Sequence, residues 1–137
     1  MGDKLNVFLV DDELDFVTML KYWLEKKDFN VNYALNGQTA LENLKKEKAD
    51  ILFLDLKLPD CDGVDLLKQI RESNPQLPVV IISAYGTQEK MKEATKLGIS
   101  GFFAKEDGFA EAAQMIYTTL RIHKGLGANK KNVENRS

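Results

Sequence analysis

The chain has 137 residues, a length that suits one domain burying about 68–70% of its extended-chain surface. Hydrophobic residues make up 44% and charged residues 29%, with a net charge of −2; the longest apolar stretches are strand-length, too short to span a bilayer, and no overall basic balance points to nucleic acid. Cys61 is the single cysteine, which excludes an internal disulfide and any paired-cysteine metal site.

Apolar runs and helical patterns alternate along the chain. Residues 5–10, LNVFLV, read as a buried strand that runs straight into Asp11, Asp12 and Glu13. Leu14, Val17, Leu20 and Leu24 follow at helical spacing, with Phe16, Met19 and Trp23 widening the apolar face. NVNYA (30–34) reads as a second strand, and Asn36-Gly37 as a turn. Ala40, Leu41 and Leu44 predict a short helix that ends in the charged KKEK. ADILFLD (49–55) is the third strand, followed by a loop from Asp60 to Gly63. Val64, Leu67 and Ile70 begin a helix that stops before Asn74-Pro75. LPVVIIS (77–83) is the fourth strand. Met91, Ala94 and Leu97 form a thin stripe on the next helix, which Gly98 caps. That thin stripe predicts a helix poorly anchored to the core. GFFA (101–104) is the fifth strand, and Phe109, Ala112, Ala113, Ile116, Tyr117 and Leu120 mark the last helix.

This is a strand–helix unit repeated five times. The almost continuously apolar strands at 5–10, 50–54 and 78–82 are those of a parallel sheet covered by helices on both faces, an α/β fold. The folded domain is expected over 1–124. After Lys124 the sequence GLGANKKNVENRS loses periodicity and reads as a disordered basic tail, 125–137. From Arg121 onward there are five basic residues against Glu134 alone, whereas 1–120 holds 14 basic and 20 acidic residues. The tail reads as a solvated end, with a basic docking arm as the lesser reading. The opening MGDKLNV has no apolar signal region, so a cytoplasmic protein is expected.

Open parallel sheets bind ligands at the carboxyl ends of their strands. Those ends carry Asp11 and Asp12, then Asp55, Ser83 and Lys105; the second strand ends near Leu35 and Asn36 with nothing distinctive. Two carboxylates about 4 Å apart repel by about 4 kcal/mol at an effective dielectric near 20, enough to force a proton onto one of them unless a cation intervenes. Three carboxylates suit a hard divalent cation such as Mg2+, with Mn2+ as a substitute, and a hydroxyl and an ammonium opposite them suit an anion. The combination describes a phosphoryl-transfer site. Singly, each residue has a blander reading: Asp12 as a helix cap, Asp55 as a solvated acid, Ser83 as a loop cap, Lys105 as a surface lysine. Their joint placement at successive strand ends favours function.

At these residues the sequence resembles the response-regulator receiver domains of two-component signal transduction. The matching motifs are VDDE at 10–13, LDLKLPDCDG at 54–63, ISA at 82–84 and FFAK at 102–105, within a resemblance covering 5 to about 122. It implies a flavodoxin-like doubly wound (βα)5 fold with strand order 2-1-3-4-5. It also implies that Asp55 accepts a phosphoryl group from a phosphohistidine of a sensor histidine kinase or histidine phosphotransfer protein. Asp11, Asp12, Asp55 and the backbone carbonyl of Lys57 would hold Mg2+, and Ser83 and Lys105 would contact phosphoryl oxygens. Ser83 and Phe102 would form the switch, reshaping the surface of the fourth helix, fifth strand and fifth helix for a downstream protein or a phosphorylation-dependent homodimer. Such a protein catalyses only its own phosphorylation and dephosphorylation. Lys57 and Tyr85, two residues after Asp55 and Ser83, would flank the phosphoryl group and slow its hydrolysis.

Two positions depart from the family. Glu106 stands where proline usually follows the lysine, which favours a trans Lys105–Glu106 peptide. Phe102 replaces the frequent tyrosine and lacks its hydroxyl contacts. Rival readings fit less well. A haloacid-dehalogenase-type phosphatase needs a second Asp two residues after the nucleophile, where this chain has Lys57. A flavin- or nucleotide-binding domain needs a Gly-rich loop after the first strand, where DDELD stands. A degenerate receiver that binds partners without phosphorylation remains the alternative. His123, the single histidine, is not expected to be a phosphodonor, and Cys61 reads as an incidental thiol with its pKa raised by neighbouring acids.

Overall fold

The structure is a computed structural model that describes residues 4–83 and 88–121, and only the backbone of Ser83. Tyr85, His123 and the 125–137 tail therefore lie outside the described residues. Five strands and five helices alternate: β1 (Asn6–Val10), α1 (Leu14–Glu25), β2 (Asn30–Ala34), α2 (Gly37–Lys46), β3 (Ile51–Asp55), α3 (Gly63–Ser73), β4 (Val79–Ser83), α4 (Gln88–Lys96), β5 (Gly101–Ala104) and α5 (Phe109–Leu120). The strands form one parallel sheet in the order β2-β1-β3-β4-β5.

Successive strand side chains point to opposite faces, and the apolar runs supply both. Val7 and Leu9 of β1 join Phe53, Val80, Ile82 and Phe103 in a core that buries Val17, Leu20 and Leu24 of α1 and Ala112 and Ile116 of α5. Phe8 and Val10 face the other way and pack with Leu52, Leu54, Val79 and Ile81 against Leu66, Leu67 and Ile70 of α3 and Ala94 of α4. A strand that must be apolar on both sides cannot alternate with polar residues, which explains the uninterrupted VFLV and ILFL runs.

The strands match the sequence reading within two residues at their ends. Strand β4 begins at Val79 because Pro78 has no N–H to give; its carbonyl instead accepts from Leu52 N at 2.9 Å. Residues Lys105–Asp107 form one turn of 3-10 helix that the sequence does not announce. No cis peptide occurs among the described residues, so Lys105–Glu106 is trans as expected.

Helix α4 is held to the core by little apolar surface, as its sequence predicts. Its apolar stripe is indeed thin, with Ala94 its one buried residue, but polar ties hold both ends. The Arg71 guanidinium on α3 donates to the carbonyls of Leu97 (2.7 Å) and Gly98 (2.9 Å) just past α4, and to Asn74 (3.0 Å) and Leu77 (2.7 Å). Lys90 near the start of α4 pairs with Asp62 in the β3–α3 loop. Gly98 ends the helix at φ +80°, a conformation that L side chains rarely adopt, as the cap reading requires.

Candidate functional site

Register decides which strand ends meet. Val10 pairs with Leu54, so Asp11 and Asp55 lie side by side at the ends of the two central strands. Asp55 pairs with Ile82, and Ser83 with Ala104, which brings the ends of β4 and β5 to the same edge and puts Lys105 one residue further on. Ligand oxygens of Asp11, Asp12 and Asp55 all come within 4.8 Å of one another. Asp12 lies exposed and does not cap α1: the N-cap position belongs to Glu13, which offers no side-chain hydrogen bond there.

Local hydrogen bonds aim each carboxylate. Asp11 is fully buried, and its Oδ1 accepts from the Glu13 N–H at 2.8 Å. The other oxygen, Oδ2, is buried without a hydrogen-bond partner among the described residues; Lys105 Nζ stands 2.9 Å away, off hydrogen-bonding angle. Asp55 Oδ1 accepts from the Lys57 N–H at 2.9 Å, leaving Oδ2 3.9 Å from Lys105 Nζ. Lys105 is no surface lysine: its side chain is 16% exposed, pairs with Glu13 as well, and places its ammonium 4.8 Å from the Phe16 ring centroid.

The electrostatics follow from this burial. Desolvation pushes the Asp55 carboxyl up from 3.8 to about 6, and the Asp11 charge adds to the rise, while the Lys57 N–H and Lys105 oppose it. Burial likewise raises Asp11, against the Glu13 N–H and the Lys105 ammonium. Desolvation alone would lower Lys105, but its pairing with Glu13 and Asp11 outweighs that and holds it above the ordinary lysine value. Asp11 and Asp55 thus hold a proton more readily than free carboxyls, and added positive charge would oppose this. An all-oxygen donor set in which one buried carboxylate oxygen accepts no hydrogen bond among the described residues fits a hard divalent cation.

The loop after Asp55 is built closely around the site. The Gly63 N–H donates to the Leu56 carbonyl at 2.9 Å, and Lys57 pairs with Asp62 as an isolated antiparallel bridge. A Cβ on Gly63 would stand 2.3 Å from Leu56 Cα, so only glycine allows this approach. Asp62 accepts from the Val64 N–H at 2.7 Å and so caps α3. Asp60 reaches across to α2, accepting from the N–H groups of Gly37 (2.9 Å) and Gln38 (3.1 Å), which draw its carboxyl below the usual range. The strand-two end therefore has a function in the fold that the sequence reading missed, with Asn36 also capping α2 through Thr39 N at 2.8 Å. Cys61 lies beside them, its thiol raised first by burial and then by Asp60.

The remaining sequence candidates divide. The Lys57 side chain is exposed. Phe102 faces outward, 39% exposed, while Phe103 next to it is buried against Phe16 and Phe53. Ser83 ends β4 beside Asp55, its side chain lying outside the described residues, as does Tyr85. Glu13 and Phe16 are the site neighbours that sequence reasoning passed over; the one reads as a generic acid after the aspartates, the other as core.

Known proteins resemble this chain in sequence and in fold. The chain is 33% identical over 133 residues to response regulator protein PilR of Pseudomonas aeruginosa, covering 97% of this chain but only 30% of that relative's length. It is 32% identical over 105 residues to sporulation initiation phosphotransferase F of Bacillus subtilis, covering 77% of this chain and 83% of that protein. The fold superposes on a CheY-like receiver domain from Methanospirillum hungatei with a TM-score of 0.83, 21% identity, and coverage of 87% and 95% of the two chains. The family model of the response regulator receiver domain matches residues 7–117, a range that contains Asp11, Asp12, Asp55 and Lys105, and the chain belongs to that family.

Proposed function

We propose that the protein is a phospho-accepting receiver in which Asp55 takes a phosphoryl group from a phosphohistidine of a sensor histidine kinase or histidine phosphotransfer protein. The observation that carries this reading is the meeting of three carboxylates within 4.8 Å beside a largely buried lysine, at the ends of adjacent strands. The likeness to the Bacillus subtilis sporulation initiation phosphotransferase F supports the same chemistry.

Asp55 attacks through Oδ2, the oxygen not engaged by the Lys57 N–H. The new O–P bond forms as the N–P bond breaks, and the electron pair stays on the imidazole nitrogen. Asp11, Asp12, Asp55 and the Lys57 backbone carbonyl would hold Mg2+, or Mn2+ in its place. When bound, the ion would keep Asp55 ionised and offset the charge of the incoming phosphoryl oxygens. Lys105 clamps one of those oxygens, and the Ser83 hydroxyl takes another. Phosphorylation then shifts a prior equilibrium of the α4–β5–α5 surface, with Phe102 turning inward as Ser83 moves. The anchored ends of α4 make that shift a change of discrete ties, Lys90–Asp62 among them.

The phosphodonor needs a docking face beside Asp55. Leu14, Met19 and Tyr22 of α1 are large apolar side chains left 48%, 58% and 63% exposed, starting immediately after the acidic cluster. They fit an apolar helical partner. No helix among the described residues is long and apolar enough to cross a membrane; we place the protein in the cytoplasm, acting on a downstream protein or through a homodimer.

Incubation with acetyl phosphate and Mg2+, followed by intact mass measurement, tests the reading. One added phosphoryl group is expected, absent from Asp55→Asn and from protein treated with EDTA. A folded, Mg2+-binding protein that gains no mass refutes it and leaves a partner-binding receiver that works without phosphorylation.

A further inference from the structure

The Lys105 ammonium has three N–H donors and no acceptor. In the structure several groups draw it at once. It stands 2.9 Å from Asp11 Oδ2, pairs with Glu13, and lies over the Phe16 ring, while Asp55 Oδ2 remains 3.9 Å away. A phosphoryl oxygen arriving on Asp55 must draw the ammonium across that gap, in competition with the carboxylates that hold it.

The two carboxylates differ in how readily they can do so. Asp11 is fully buried and would be left as an uncompensated charge. Glu13 has a side chain 61% exposed, so water replaces the lysine when it leaves. Glu13 thus holds the ammonium from an exposed position, while Asp55 Oδ2 stays 3.9 Å from it.

We propose that Glu13 is a positioning residue that holds Lys105 in a resting place and competes with the phosphoryl group for its ammonium, thereby setting how readily the site takes and keeps that group. The inference rests on the reading of Asp55 as acceptor, and nothing in it requires Glu13 to touch phosphorus or the metal. The hydrogen bond from the Glu13 N–H to Asp11 belongs to the backbone, so it survives a change of side chain.

The test uses Glu13→Gln, which keeps size and removes the charge. Beryllofluoride, a tetrahedral phosphoryl mimic, is titrated calorimetrically into wild type and variant at saturating Mg2+. An exposed ion pair is worth a factor of about two to five in an equilibrium, so the variant is expected to bind about two- to five-fold tighter. Removal of any nearby negative charge would also favour an anion, and a double-mutant cycle separates the two causes. In a Lys105→Gln background, Glu13→Gln should change nothing if it acts through the lysine. An equal gain in that background overturns the proposal, as does unchanged affinity in the single variant when wild type binds the mimic. A second readout needs neither metal nor mimic. In metal-free protein the 15N ammonium resonance of Lys105, sharp when its protons are held, should broaden in Glu13→Gln; an unaltered resonance refutes the resting contact. Failure of wild type itself to bind beryllofluoride or gain a phosphoryl group overturns the acceptor reading instead, and this inference with it.

Discussion

Asp55→Asn should stabilise the metal-free protein, and by an amount that depends on pH. Asp55 has a side chain only 14% exposed, and burial raises its carboxyl from 3.8 to about 6. A raised acid binds its proton more tightly in the folded chain than in the unfolded one. Stability therefore falls as pH rises through the window from 3.8 to about 6 and stays low above it. At 1.36 kcal/mol for each tenfold change in proton affinity, the loss amounts to about 3 kcal/mol. Asparagine is already neutral and keeps an oxygen for the Lys57 N–H, so it escapes this loss. Urea unfolding of wild type and variant in EDTA, from pH 4 to pH 8, measures the difference. The two should nearly coincide near pH 4, and the variant should lead by about 3 kcal/mol at pH 7 and above. Mg2+ should close the gap by stabilising wild type alone. A difference that stays constant with pH, or a wild type that gains stability between pH 4 and pH 7 relative to the variant, would refute the account of the site as destabilised by its own charge.

Gly63→Ala tests the loop that follows the acceptor. Its Cβ would stand 2.3 Å from Leu56 backbone, so the 56–63 turn must open, and a loss of about 1–3 kcal/mol in urea unfolding is expected; an unchanged midpoint would show that the turn is not tight. Lys57→Gln addresses phosphate lifetime. A shorter, uncharged side chain should admit water and speed the decay of phosphorylated protein without altering uptake of the label, and equal decay rates would remove Lys57 from that role.

Much of the architecture is legible in one dimension because it is periodic. Continuous apolar runs such as VFLV and ILFL mark strands buried on two faces, and spacings such as Leu14, Val17, Leu20 and Leu24 mark helices against them. Once those elements are in order, the rule that ligands gather at the carboxyl ends of parallel strands singles out Asp11, Asp12, Asp55, Ser83 and Lys105. The turn at Lys105–Asp107 escapes notice, since three charged residues carry no period.

What the sequence determined by itself was the alternation of strands and helices and the list of polar groups at strand ends. Only the tertiary structure decided which of those groups are paired. Glu13 and Lys105 lie 92 residues apart and meet because β1 and β5 end on the same edge of the sheet. Asp60 reaches α2 across 22 and 23 residues, and Arg71 reaches the end of α4 across 26 and 27. Burial belongs to the same class, for Asp11 and Asp12 are adjacent identical residues, one wholly enclosed and the other exposed. Hydrophobic burial is set by repeating local spacing, whereas a single polar contact and the desolvation of a single carboxylate depend on where distant backbone segments come together.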